Sequence, residues 1–517
     1  MFINALNSYD TVTANGAVSH STSGSKILDY FFKSGTYRGR DQSAVDMDLV
    51  YLFNEDALKA MKVVFYNRLV TRKIVGYNET EAIQKGQGQK DEFIKSLKWL
   101  EENRPKLLYQ NLHLIPLVGC WKDLWYDSNI SELFHYVDTS KVYPLIQFAL
   151  GDKTQRGLIA KYLPKIRSSS NCTNPRHQRL NDWARGFCEF MGWTEKQYRK
   201  FKSNPENTAV NWQRAACAKQ WDAINFNSVP GRALSQNATS FERNCPHFEK
   251  WILNQKTAKF TGYPYELGQQ YNSNRGNKLQ KALINAQFEK LLENGKEGLN
   301  PSLASGVWCA LDTSGSMSSP VANGKVAALE VCMSLGIYFS SLIEGEFKDN
   351  VIMFDSTSRI KKLSGKFTDK WDQVPQNAMG STNLQSVFDE IIRVRNQNPY
   401  IPVESYPKTI LVVSDMAHNN SGKDTNYNTA KQRLASVGLD MPNIIWWQVN
   451  GHYEKSVPNK MNDTGITMLS GFDPTIISLI LGGDMDIENN TKKMSQMTPY
   501  EQMERALNQE ILNLIRV

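Results

Sequence analysis

The sequence predicts a two-part chain, α followed by α/β: an all-α amino-terminal array and then a doubly wound, Rossmann-like domain. Three observations predict it. Helical spacing recurs without strand alternation from Ile27 to about Leu292, and short apolar strands alternate with helical patterns from Val307 onward. The run Leu311-Asp312-Thr313-Ser314-Gly315-Ser316-Met317 then ends the first of those strands with the spacing of a divalent-cation site.

In chain order, residues 1–25 are rich in Asn, Ser, Thr and Gly and read as a flexible polar tail. Residues 26–292 read as helices of modest length with short polar joins. Phe93, Leu97 and Leu100 share one face, as do Leu145, Ile146, Ala149 and Leu150, and again Phe187, Phe190 and Met191. Such an array suits stacked helical pairs, although no clean sequence period marks the repeat.

Residues 303–485 read as the α/β domain. Val307–Leu311, Asn350–Phe354, Thr409–Val413, Asn443–Val449 and Gly465–Leu469 are its strands, and Leu384, Val387, Phe388, Ile391 and Ile392 mark one intervening helix. The segment from Leu329 to Ile343 is apolar on nearly every side, which suits a helix on the sheet covered by neighbours. Residues 486–517 form a linker and a docking helix. Thr498-Pro499-Tyr500-Glu501 is a capping box with proline at the first helical position, and Met503, Leu507, Ile511 and Leu514 follow on one face.

The candidate metal ligands come from three segments. Asp312, Ser314 and Ser316 alternate along a turn, so one carboxylate and two hydroxyls converge on a hard cation. In Met379-Gly380-Ser381-Thr382-Asn383, small residues admit the backbone and Thr382 supplies a third hydroxyl. The buried run Ile410 to Ser414 ends on Asp415, at the carboxyl edge of a parallel sheet, where such folds bind ligands. Two carboxylates balance a dication, and a remaining position admits an anionic oxygen from outside. The expected cofactor is Mg2+, with Mn2+ or Ca2+ as substitutes, and the expected role is docking of a partner's Asp, Glu or phosphate. The competing account is that Asp312 caps a turn and the serines satisfy a loop.

The set D-x-S-x-S, then T, then D resembles the metal-ion-dependent adhesion site of von Willebrand factor A domains. The helical half carries a second likeness. Thr36-Tyr37-Arg38-Gly39-Arg40-Asp41, Lys85-Gly86-Gln87-Gly88-Gln89-Lys90 and the stretch from Asn111 to Leu124 resemble successive signposts of the TROVE module of Ro-type ribonucleoproteins. Ala160 to Lys165, Tyr198 to Lys200 and Phe226 to Ala233 extend it, and the likeness is closer to the uncharacterised viral, bacterial and plant branch than to Ro itself. It implies HEAT-like repeats closed into a ring that holds RNA, structured outside and single-stranded in its hole, with the A domain seated against it. The sequence departs where Gln87 and Gln89 flank Gly88.

Charge is compatible with RNA. Of the net +8, residues 1–300 hold 41 Lys and Arg against 29 Asp and Glu, whereas residues 301–517 hold 19 against 23. Candidate RNA contacts are Arg38 and Arg40 about Gly39, Lys85 and Lys90 in the glycine-rich signpost, and Arg199, Lys200 and Lys202 among aromatics. Each has a plain alternative as an exposed loop or a solvated helix face.

The seven cysteines are odd in number and contain no C-x-x-C pair, which suggests neither a disulfide framework nor a zinc site. No apolar stretch reaches membrane-spanning length, so no membrane partner is expected and the chain reads as cytoplasmic. No catalytic residues are assigned: His418, three positions beyond Asp415, has no activated serine or cysteine beside it. The expected function is a non-enzymatic RNA-binding scaffold with a metal-dependent docking site. A structural or assembly protein working through protein contacts alone is the main rival, and a metal-dependent hydrolase a weaker one.

Overall fold

The computed structural model describes residues 11–75, 81–125, 138–168, 171–172, 174–204, 212–297, 299–482, 485–487 and 490–517. Helices dominate the amino-terminal half, among them Lys26–Ser34, Gln42–Glu55, Ala57–Arg68, Asp91–Asn103, Pro175–Met191, Gly231–Asn244 and Lys278–Lys296. Oxygen-bearing side chains start several of them: Ser25 accepts from the Leu28 amide, Asp56 from Lys59 and Asn277 from Gln280. Two short antiparallel hairpins were not expected: β1 (Thr11–Val12) with β2 (Val18–Ser19), in the stretch read as a flexible tail, and β3 (Arg72–Val75) with β4 (Glu81–Gln84), which departs from the all-α expectation for 26–292. Strands this short leave no periodic signal to read.

The carboxy-terminal half is built on a six-stranded sheet. Its strands are β5 (Val307–Asp312), β8 (Asn350–Phe354), β9 (Ser358–Lys362), β10 (Thr409–Ser414), β11 (Asn443–Gln448) and β12 (Ile466–Ser470), with a small hairpin of β6 (Pro320–Val321) and β7 (Val326–Ala327) after β5. The order is β12-β11-β10-β5-β8-β9, parallel throughout except for the β8–β9 pair. The chain runs outward from β5 to β9 and returns on the other side through β10, so the β5–β10 boundary is the switch point of a doubly wound sheet. Five strands match the expected runs to within a residue or two. β9 does not, because Ser-Arg-Ile-Lys-Lys is a charged edge strand rather than a buried one.

Both faces of the sheet are covered. One carries the helices Gln385–Gln397 and Asn426–Ala435, with Val387, Phe388 and Leu434 in a core shared with Ile352, Val412 and Trp446. The other carries the helix Ala328–Leu342, buried along almost its whole length as its composition predicts. That face continues into the helical half: Leu311, Val413 and Trp447 belong to one apolar cluster with Phe31, Val64, Phe288 and Tyr338. The boundaries expected at 292–303 and 485–486 therefore mark changes of local structure, not breaks in the core.

Both ends of the described chain cross between the halves. The helix Pro499–Leu507 starts with the expected box, Thr498 Oγ1 accepting from the Glu501 amide at 3.2 Å and Glu501 Oε2 from the Thr498 amide at 2.9 Å. It docks on the helical half, where Glu504 meets Lys59 at 2.8 Å. Of the tail expected over 1–25, residues 1–10 lie outside the described residues. Residues 11–25 are packed against the α/β half, with Thr13, Ala17, Ser19, His20, Ser23 and Ser25 buried.

Candidate metal centre

Sheet register assembles the first part of the site. Leu311 lies opposite Val413, so the ends of β5 and β10 bring Asp312 beside Ser414, and Asp415 follows directly. Gly336 lets the helix Ala328–Leu342 close on β5, since a Cβ there would stand 2.2 Å from Leu311 Cδ1. The third segment is laced onto the first: the Gly315 amide donates to Gly380 O at 3.0 Å and the Met379 amide to Thr313 O at 2.9 Å. Gly380 has φ +79°, a left-handed step that favours glycine, and Thr382 sits two residues on.

Asp312, Ser314, Thr382 and Asp415 are each at most 1% exposed. Asp312 Oδ1 accepts from the Ser314 amide at 2.9 Å, and its Oδ2 from Ser414 Oγ at 2.5 Å. Ser314 Oγ and Ser316 Oγ stand 3.2 Å apart. Burial drives the Asp312 carboxyl well above its ordinary range, and the neighbouring Asp415 charge drives it further, against hydrogen bonds from Ser314 and Ser414. Burial also raises Asp415, against hydrogen bonds from the Ser316 side chain and from the Ala417 amide, which meets Oδ1 at 3.1 Å. Its other oxygen, Oδ2, is buried without a hydrogen-bond partner. Met416, immediately after, has φ +67°, a strained backbone of the kind found at functional sites.

This donor set fits a hard dication. Two repelling carboxylates, one with an orphan anionic oxygen, and neutral hydroxyls from two loops form a cluster that added positive charge would relieve. Among the described residues no group of three or more His, Cys, Asp or Glu converges on one point, so a site here depends on hydroxyl oxygens for its remaining ligands. The structure thus brings Asp312, Ser314, Ser316 and Asp415 together and laces the Thr382 loop onto them.

Sequence reasoning missed three neighbours. Asn15 donates from Nδ2 to Thr382 Oγ1 at 3.2 Å and to Ala417 O at 2.5 Å. Glu454, 3% exposed, adds negative charge that raises Asp415, and its Oε2 accepts from the Ala14 amide at 2.7 Å. Ser414 bonds Asp312 directly. The Asn15-Gly16 pair between Val12 and Val18 is a strong hairpin signal that was readable; its docking place was not. His418 is buried against Trp446 with ring centroids 5.6 Å apart, and burial lowers its pKa to about 4.

The candidate RNA contacts do not assemble in the same way. Arg40 is bound to Asp48 at 2.7 Å and Glu92 at 2.5 Å, and lies 3.8 Å over the Tyr37 ring. Arg38 donates to Tyr37 O at 2.8 Å and stands over Phe472. Lys85 is buried, bonding Glu297 O at 3.0 Å and Ser478 Oγ, and burial lowers its pKa to about 8. Lys90 pairs with Asp123 at 3.5 Å. Lys202 closes the end of the helix Lys153–Tyr162 by donating to Ala160 O at 2.8 Å and to Leu163 O. Arg199 pairs with Glu195, leaving Lys200 with Arg199 on an exposed helix face. Arg40, Lys85 and Lys202 are thus each engaged by partners within the fold.

Residues 308–513 match the family model of a domain of unknown function, DUF7788, and residues 13–130 match that of another, DUF2828. The first match contains Asp312, Ser314, Ser316, Thr382 and Asp415, and the second contains Asn15. The chain is also similar to uncharacterized protein L728 of Acanthamoeba polyphaga mimivirus, 24% identical over 516 residues that take in 91% of this chain and 84% of the relative. Among the described residues no helix is long and apolar enough to cross a membrane.

Proposed function

We propose that this chain is a non-catalytic scaffold whose α/β half, of von Willebrand factor A type, docks an acidic protein segment through a divalent cation. Asp312, Ser314, Ser316, Thr382 and Asp415 would hold the ion. Mg2+ bound there, or Mn2+ or Ca2+ in its place, supplies a positive charge shared between the site and an incoming carboxylate. The observation that carries the reading is the buried Asp415 Oδ2, an anionic oxygen with no partner beside a second buried carboxylate. A purely structural loop would satisfy that atom. Docking is favoured over hydrolysis because both cluster carboxylates would serve as ligands, Glu454 is engaged by the Ala14 and Ser456 amides, and His418, buried with its pKa lowered to about 4, is too weak a base to take a proton from water. Electron paramagnetic resonance of added Mn2+ tests the reading. One bound ion per chain, lost in Asp415→Ala, is expected; no bound ion in the wild-type chain refutes it.

RNA binding by the helical half, as in Ro-type proteins with HEAT-like repeats, is a second reading. It is supported by the excess of cations in residues 1–300 and by exposed Lys196, Arg199 and Lys200 on one helix. Filter binding across a salt series tests it, and a flat response would leave assembly through protein contacts.

A further inference from the structure

The amino-terminal hairpin meets the metal site through a built contact. Its loop Ala14-Asn15-Gly16 is closed by the Gly16 amide donating to Thr13 O at 2.9 Å and the Thr13 amide to Ala17 O at 2.8 Å. Gly16, with φ +82°, supplies the left-handed residue that this three-residue loop requires. The flanks are fastened to the α/β half: Thr13 Oγ1 donates to His418 O at 2.6 Å, Ser19 Oγ to Val457 O at 2.9 Å, and His20 and Val457 exchange backbone hydrogen bonds. The tip is thereby placed where Asn15 spans two loops of the site, with Thr382 Oγ1 on one side and Ala417 O on the other. Asn15 is exposed, while Thr382 and Asp415 beneath it are buried.

We infer that Asn15 belongs to the metal site and that its hairpin is the resident occupant of the face on which an acidic partner would dock. This rests on the metal-dependent docking proposed above. Asparagine has the shape of aspartate without its charge. Its amide donates to the Thr382 hydroxyl and the Ala417 carbonyl, so it bridges the two loops. A carboxylate in that place would face the Ala417 carbonyl with no proton between the two oxygens, a repulsive contact. A dication beside Thr382 reverses the preference, because it gains an anionic ligand from Asp and none from the Asn amide nitrogen. A cation bound beside Thr382 would thus favour Asp over Asn at this position of the hairpin.

The test uses the full chain and Mn2+ alone as probe, comparing wild type, Asn15→Asp, Asn15→Ala and Asp312→Ala. Asn15→Asp should bind Mn2+ at least ~10-fold more tightly than wild type, since the hairpin then brings its own carboxylate to the ion. It should also melt at a lower temperature in EDTA. Asn15→Ala should show faster amide hydrogen exchange over residues 11–20 in EDTA, a readout that needs no metal. If both Asn15 variants bind Mn2+ as wild type does while Asp312→Ala abolishes binding, the inference fails and the docking site stands. If neither wild type nor Asn15→Asp binds Mn2+, both fall.

Discussion

Replacing Asp312 by Asn separates a metal site from a capped turn, because the two accounts predict opposite signs. Asp312 is buried and held up at about 7, from an ordinary 3.8, by burial and by the Asp415 charge. At pH 8 the Asp312 carboxyl is largely ionised, and that displacement corresponds to about 4 kcal/mol of destabilisation carried by the metal-free fold. Asn keeps an acceptor for the Ser314 amide but loses the charge-assisted bond from Ser414, which costs roughly 1.5–3 kcal/mol. The net expectation is a metal-free variant more stable than wild type by roughly 1–2 kcal/mol. Saturating Mg2+ at about 100 times its dissociation constant should add about 2.7 kcal/mol to wild type and close to nothing to the variant. Urea unfolding followed by tryptophan fluorescence at pH 8, in EDTA and in Mg2+, should therefore show the two proteins exchanging rank. A variant less stable than wild type in EDTA, with neither protein responding to Mg2+, would make Asp312 a turn-forming residue and refute the reasoning.

Arg40→Ala should destabilise the chain by about 3–5 kcal/mol, because Glu92 would be left buried and unpaired; a thermal melt unchanged from wild type would leave Arg40 free to bind RNA. Burial holds His418 neutral down to about pH 4, whereas the unfolded chain takes up its proton near 6.5, so stability should fall by up to ~3 kcal/mol as pH drops from 6.5 to 4. Denaturant midpoints of His418→Gln should lack that component, and an identical pH profile in the two proteins would exclude it. If the helical half binds RNA, exchanging Lys196 and Lys200 for Glu should reduce the slope of log affinity against log salt by ~1 for each phosphate that the helix no longer neutralises, and an unchanged slope would place any RNA elsewhere.

What was legible in the sequence follows the range of the interactions involved. β5, β10 and β11 are runs of buried residues whose identity alone makes them strands, and the carboxylates ending two of them fall at the sheet's edge by construction. The charged edge strand β9 was not legible, since only Ile360 marks it as apolar. The partners of the cations were not legible for a different reason. Arg40 and Lys85 stand in polar, glycine-containing stretches that look exposed, yet Arg40 finds Glu92, 52 positions away, and Lys85 finds Ser478, 393 positions away. A buried cation is stable only through partners that no local window contains. The same limit governs the metal site. Local pattern supplies the candidate donors, but not Asn15, 367 positions before Thr382 and joined to it only in the folded chain. The candidate donor set was therefore readable, while the hairpin packed beside it is a property of the tertiary structure.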